Sequence, residues 1–252
     1  MGRFDMSEPS ISVIIPALFE QETINRTIAS LYGQSFTGHL EIIVVDGDPH
    51  ASTLSSIEDT RVKKILSEKG RANQMNKGAS IAEGSILLFL HADTEIPGSG
   101  LQQICSVMSA GRYIAGSFDL GIRAEGLRFR VIERMASLRS RLTRAPYGDQ
   151  ALFFDRAYFL SIGGFAVLPL MEDVELMRRL RKSGGKICII ASRVSTSPRR
   201  WETEGVVYCT LRNWLLVLLY RCGVSPERLA RFYRAQGNTG NAPIAFRHKK
   251  RV

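Results

Sequence analysis

The chain predicts an α/β fold with a mainly parallel sheet covered by helices on both faces. Four short runs, Ile11–Pro16, Glu41–Asp46, Val62–Leu66 and Ser85–His91, are rich in β-branched residues and apolar almost throughout. Strands buried on both faces read this way, whereas half-exposed strands alternate. Stretches with helical spacing separate the runs, as crossover connections require. Two of the runs also deliver an acid to their carboxyl ends, Asp46 and, just beyond His91, Asp93. In open parallel sheets that is the edge where ligands bind.

Taken in order, Pro16 stops the first strand. The segment after it carries Ile24, Ile28 and Leu31 at helical spacing. The run at 41–46 ends in an acid followed by glycine, and Val62–Leu66 forms a third strand. Arg71–Ala82 reads as a helix whose small residues permit close packing. Ser85–His91 is the fourth strand, with Pro97 and a helix to about Ser109 behind it. The second half is less regular. Ile114–Ile122 reads as a strand, Leu127–Leu142 as an Arg-rich helix, and the stretch 147–154 leads into a helix near Arg156–Ile162. Met171, Val174, Leu176, Met177 and Leu180 mark an amphipathic helix stopped by Gly184 and Gly185, and 186–190 is a strand. Val206–Cys222 and Ser225–Tyr233 are the last two helices, with Pro226 suited to a first turn. A flexible N-terminus over 1–9 and a basic disordered tail over 236–252 complete the layout.

A length of 252 residues suffices for one large domain, and 44% apolar with 23% charged residues is ordinary for a globular enzyme. The net charge of +10 sits in two blocks, +5 over 121–144 and +8 over 198–252. Such blocks suit a phosphorylated substrate, a membrane surface or a nucleic acid. The four cysteines lack zinc-ligand spacing and no apolar leader precedes the first strand. Both features predict a cytoplasmic protein with reduced thiols. Asn213–Tyr220 is the most apolar stretch and far too short to span a bilayer. Burial is its favoured reading, with shallow contact at the inner face of a membrane as the other.

Hydrolase elbows, zinc-protease helices and phosphate-binding glycine loops are absent from the sequence. Carboxylates at element ends remain: Asp46, Asp93, Asp149, Glu172 and Asp173. Singly, each is a common turn former or helix cap. As an ordered set, 12–31, 41–49, 70–97 and 163–184 resemble the family 2 glycosyltransferases over residues 10–186. The resemblance implies the GT-A fold, a Rossmann-like mixed sheet in a single domain over 10–235. Within it, 10–112 would be the nucleotide-binding half, 113–200 the acceptor half and 201–235 C-terminal helices. It implies an inverting transferase that moves a sugar from a nucleotide-diphosphate sugar, most simply a UDP-sugar, to an acceptor hydroxyl with Mg²⁺ or Mn²⁺.

Carried over position by position, Pro16, Ala17 and Glu20 match the nucleotide-contacting first loop. Asp46 matches the acid that contacts the base, and Arg71 an arginine near the nucleotide. His91-Ala92-Asp93 stands where the family often reads DxD. Asp93 would hold the metal, and His91 is read as a ligand, a phosphate donor or a packed residue. Asp173 matches the catalytic base, with Glu172 orienting the acceptor. A hard dication held by oxygen ligands would neutralise the leaving diphosphate, and one carboxylate suffices to take the hydroxyl proton. "VDGDP" departs from the family's frequent VDDGS, which puts uracil specificity in question.

Residues 147–154, 169–176, 197–205 and 213–234 further resemble a bacterial subgroup catalogued as arsenosugar-biosynthesis-type or selenium-domain-associated glycosyltransferases. There Gly148, Asp149 and Gln150 would line the acceptor side, and Arg199, Arg200 and Trp201 would close over the donor diphosphate. Two rivals stand beside this reading. A binding module using the basic blocks has no evident use for the Glu172–Asp173 pair, and no nucleic-acid partner is expected. A nucleotidyltransferase would carry a Gly-rich basic first loop, where this chain has the acidic "PALFEQE".

Overall fold

The computed structural model describes residues 9–233. The expected flexible start, apart from Pro9, and the expected basic tail lie outside the described residues. A seven-stranded sheet forms the centre, in the order β3-β2-β1-β4-β7-β6-β8. Its first strands are β1 (Ser10–Ala17), β2 (His39–Asp46), β3 (Lys63–Leu66) and β4 (Ile86–Phe89). β1 pairs in parallel with both β2 and β4, and β2 with β3. The chain thus runs outward from β1 through β2 to β3, then returns to the other side of β1 as β4. That reversal between β1 and β4 opens the crevice where such sheets bind ligands.

β6 (Ala115–Asp119) and β8 (Ile187–Arg193) pair in parallel, and β7 (Leu152–Asp155) lies between β4 and β6, antiparallel to both. The short run 152–155 is apolar on both faces, so its composition gave no sign of direction. A strand with two buried faces, Phe153 and Phe154 included, is unambiguous only once its neighbours are known.

Helices α1 (Ile24–Tyr32), α4 (Gly100–Ser109) and α5 (Leu127–Thr143) contribute to one core, on the Ile11, Val13, Leu88 and Phe118 face of the sheet. Helices α3 (Arg71–Ile81), α6 (Arg156–Ser161) and α7 (Glu172–Lys182) contribute to the other. There Phe89, Phe154, Phe159 and Phe165 meet edge-on or tilted at 4.9–6.4 Å. Each such pair adds about 0.5–1.5 kcal/mol beyond its buried area. Phe165 is fixed by Asn76, whose amide exchanges hydrogen bonds with its backbone N–H and C=O. Gly164 before it takes φ +64°, and a Cβ there would fall 2.6 Å from Asn76 Oδ1. Only glycine meets both demands.

A second sheet pairs β5 (Thr94–Glu95) with β9 (Ser195–Thr196), antiparallel. β9 leads into α8 (Arg199–Glu204), then α9 (Val206–Arg221) and α10 (Pro226–Ala230); Leu216 of α9 and Leu229 of α10 form a small core with Met171. The favoured burial of 213–220 is corrected here. Leu216 is buried, but Trp214, Leu215 and Leu218 are exposed. A helix apolar all round can bury only the side that meets a neighbour, and α9 has one narrow seam.

Candidate active site

Two strand ends and three later segments converge on the switch point. Pro16, near the end of β1, and His91, Ala92 and Asp93, beyond β4, line one crevice of about 170 Å³. Glu20, Arg71, Asp149, Arg200 and Trp201 close its sides. A small adjoining hollow shares Pro16, Arg71 and His91 and adds Gly148, Glu172 and Asp173. His91 therefore stands between Asp93 on one side and Asp173 on the other.

Asp93 is held from behind. Its backbone carbonyl accepts from Arg123 at 2.9 Å, and Arg123 also pairs with Glu95. Thr94 Oγ1 donates to Thr196 Oγ1 at 2.9 Å, which ties β5, just beyond Asp93, to β9 at the start of the α8 segment. That link explains how residues a hundred positions apart face one cavity. Arg199 of α8 reaches across to Glu20 at 2.9 Å. Burial pushes the Glu20 carboxyl up, Arg199 opposes the rise and the Asp93 charge adds to it.

Glu172 and Asp173 open α7. Asp173 Oδ2 accepts from the Gly148 N–H at 2.7 Å and Oδ1 from its neighbour Val174 at 2.7 Å. A Cβ on Gly148 would lie 3.4 Å from His91 Nε2 and 3.5 Å from Asp173 Oδ2, so the missing side chain leaves a gap between imidazole and carboxylate. Glu172 pairs with Arg71 at 3.4 Å. Burial pushes its carboxyl up, against Arg71 and with the help of the Asp173 charge. Burial and then the like charges of Arg71 and Arg200 push His91 well below the usual histidine range, so its imidazole is neutral at pH 7. Asp149 is pushed up by burial, and its Oδ1 has no hydrogen-bond partner among the described residues.

Three non-glycine residues adopt positive φ beside these groups: Phe19 (59°), Ala151 (51°) and Met171 (71°). Each costs on the order of 1–3 kcal/mol and is held only because its surroundings demand it. Phe19 precedes Glu20, and Met171 precedes the Glu172–Asp173 pair.

Other expected residues lie elsewhere. Asp46 is fully buried, and its carboxylate accepts three backbone N–H groups, from Asp48, Thr53 and Leu54. It shapes the loop leading into α2 (Ser52–Ser55) rather than facing the crevice. Ala17 is buried, and its carbonyl accepts from Gly47 and from the Gln74 side chain. Gln150, expected on the acceptor side, is corrected. Its amide is fully buried, accepting from Ser140 and Arg139 and donating to the Phe118 carbonyl. Arg199, Arg200 and Trp201, expected to close over the donor diphosphate, form the first turn of α8.

Thr196, Ser197 and Asn213 line the crevice without having been foreseen. Asn213 Oδ1 is buried without a hydrogen-bond partner among the described residues. The one available signal was a polar residue opening the most apolar run of the chain. Among the described residues no three His, Cys, Asp or Glu side chains gather into a metal cluster.

The family model described as glycosyl transferase family 2 matches residues 12–168. An uncharacterized glycosyltransferase of Mycobacterium tuberculosis is 29% identical over 186 residues, 69% of each chain. Amylovoran biosynthesis glycosyltransferase AmsB of Erwinia amylovora is 32% identical over 111 residues, 41% of this chain and 37% of that one. The mannosyltransferase PcManGT of Pyrobaculum calidifontis, solved with GDP-Man and Mn²⁺, superposes with a TM-score of 0.64 at 19% identity. That superposition covers 90% of this chain and 68% of the mannosyltransferase. Residues 1–349 of S. aureus TarS in complex with UDP-GlcNAc give a TM-score of 0.56 at 17% identity, over 75% and 58% of the two chains. The sheet order is that of a GT-A-like fold, and with the family match over most of its length the chain belongs to glycosyl transferase family 2 and is a glycosyltransferase.

Proposed function

We propose that the protein is an inverting transferase that moves a sugar from a nucleotide-diphosphate sugar to an acceptor hydroxyl, with Asp173 as general base. The observation that carries this reading is the position of His91 between two carboxylates, Asp93 in the larger cavity and Asp173 in the adjoining hollow. The first would hold a cation that neutralises a leaving diphosphate, and the second would take the proton of an incoming hydroxyl. Glu172 acts through its pair with Arg71, holding that guanidinium toward the donor.

The residues fit a divalent cation on one condition. Asp93 has a carboxylate at the cavity, the charge of Glu20 lies close by, and Asp149 offers an unpartnered oxygen. These are hard oxygen ligands of the kind Mg²⁺ and Mn²⁺ prefer. Their number is too small for a complete protein cage, so Asp93 would hold the ion together with donor phosphates, as Mg²⁺ sites commonly do. When bound, the ion would neutralise charge on the leaving diphosphate. His91 is better suited to hydrogen bonding than to ligation, since its Nε2 faces Gly148 and Asp173.

Arg71, Arg199 and Arg200 supply further positive charge, and guanidinium groups bind phosphates bidentately. A UDP-sugar is the donor the family resemblance favours, although the Asp46 carboxylate is occupied by backbone N–H groups and supports no base contact. The narrower resemblance to the arsenosugar-biosynthesis-type subgroup supplies no substrate. Exposed Val207, Leu211, Trp214, Leu215 and Leu218 on α9 support peripheral contact with the inner membrane face. Among the described residues no helix is long and apolar enough to cross a membrane.

A thermal-shift panel of UDP-, GDP-, dTDP- and CDP-sugars, with and without Mn²⁺, tests class and donor together. One nucleotide should stabilise the protein with metal, and Asp93→Ala should abolish that metal-dependent gain in a folded protein. An unaltered gain in Asp93→Ala would remove Asp93 from the metal site.

A further inference from the structure

A large cavity among the described residues lies outside the donor crevice. It has a volume of about 910 Å³ and is bounded by α7, the C-terminal ends of α5 and α9, and the turn into α10. Val174, Arg178, Arg181 and Lys182 face it from α7. Their spacing of four, three and one places them on one face of the helix. At 1.5 Å per residue that face runs about 12 Å away from the residue beside Asp173. Arg221 enters from α9, and Tyr147, next to Gly148, joins the cavity to the catalytic hollow.

Four cations line this groove and no carboxylate does. Arg181, Lys182 and Arg221 form no ion pair among the described residues, and Arg178 makes a long 3.5 Å contact with Glu175, which Arg179 holds more closely. Neutralising helix ends is the plain alternative use for last-turn cations. The carboxyl ends of α5, α7 and α9 contribute roughly −0.5 each, about −1.5 together. Four positive charges exceed that, so the groove keeps a net positive charge of roughly 2.5. Its volume accommodates a ligand of one or two sugar units.

We propose that this groove binds a phosphate group on the acceptor, holding it about one to two helical turns from the hydroxyl that Asp173 deprotonates. The inference rests on the transferase reading for the identity of the ligand as acceptor. The phosphate belongs either to a membrane lipid or to a soluble phosphoester. Leu142, which lines the groove, is also the last member of an exposed apolar stripe on α5 with Leu127, Val131, Met135 and Leu138. That continuity favours the lipid source.

The test uses the full chain with its nucleotide site filled by nucleoside diphosphate and Mn²⁺. Two probes are titrated: glycerol 3-phosphate, and vesicles of phosphatidylcholine with or without phosphatidic acid. Arg181→Gln/Arg221→Gln should weaken binding of one probe about tenfold or more, the scale of losing two charge-assisted contacts. Lys77→Gln/Arg112→Gln, which removes the same charge from exposed positions elsewhere, should not. Binding only to phosphatidic acid vesicles identifies a lipid phosphate, and binding of glycerol 3-phosphate a soluble one. If the parent binds neither probe, or if both double variants weaken binding equally, the groove is not a phosphate site. All four substituted side chains are exposed, and Arg221→Gln alone serves if the groove double variant melts early. Failure of the parent to bind nucleotide and Mn²⁺ would instead overturn the donor reading, a result separate from the vesicle arm.

Discussion

At the scale of single residues, the space between His91 and Asp173 is the feature on which the proposed catalysis turns. Asp173→Asn keeps shape and most hydrogen bonding but removes proton acceptance. Transfer should fall about a hundredfold or more, with donor and metal affinity near normal, because general-base catalysis contributes on that scale. The assay must score acceptor product rather than released nucleotide, since donor hydrolysis can continue. Parental transfer rates in Asp173→Asn would move the base to another carboxylate, Asp149 first. Gly148→Ala probes the same gap from the other side. The added methyl would meet His91 and Asp173 at ordinary contact distances, so the melting temperature should hold. The methyl would nonetheless fill room beside the base, and transfer should fall roughly tenfold to a hundredfold through misplacement of the hydroxyl. A parental kcat would mean that the acceptor approaches by another route.

Among the elements, α8 is a helix held by surface contacts. None of its residues is buried, and polar and aromatic contacts hold it: Arg199 pairs with Glu20, Glu204 with Arg212 of α9, Arg200 lies over Tyr233 and Trp201 packs against the main core. Donor phosphates would compete for the same guanidinium, so ligand should change how tightly this helix sits. Nucleotide with Mn²⁺ should slow tryptic cleavage at Arg199 and Arg200, whereas equal cleavage with and without ligand would make α8 a fixed wall. By contrast, α7 is firmly seated. Arg179 donates to the Ile162 and Gly164 carbonyls while paired with Glu175. That anchoring keeps the Glu172–Asp173 end in place. The Arg-rich character of α5 is partly structural, since Arg130 pairs with Glu133 and Arg141 with Asp119.

For the whole molecule, stability and chemistry sit at opposite ends of the sheet. At the end away from the crevice, Glu41 bridges β1, β2 and β3, accepting from Ser12, the Glu83 N–H and Lys63. Burial raises its carboxyl, but these bonds, Lys63 foremost, outweigh burial and hold it below the usual range. A carboxyl with a lowered folded-state pKa contributes stability above its unfolded value of about 4.3, and that contribution is lost as pH falls through the folded value. Glu41→Gln should therefore cost about 1–2 kcal/mol at pH 7, discounted because Lys63 is half-exposed. The deficit against the parent should shrink below about pH 4, with transfer by the folded fraction unchanged. A deficit that is constant with pH would mean the amide replaces the carboxylate equally well at all pH values.

The strands, the helices between them and the acids at Asp93 and Asp173 were legible in the sequence. Burial on one face or both leaves a local periodic trace, and turn and cap residues mark where each trace ends. Tertiary structure alone decided the antiparallel placement of β7 and the β5–β9 link that brings Arg200 and Trp201 beside Asp93. It also decided the arrival of Asn213 at the crevice and the withdrawal of Asp46 and Gln150 into internal hydrogen bonds. Pairing between distant segments has no local signature, and an acid at a strand end reads alike whether backbone N–H groups or a ligand will satisfy it. The basic groove belongs to the same class: its cations lie on two helices about forty residues apart, and only packing sums their charge.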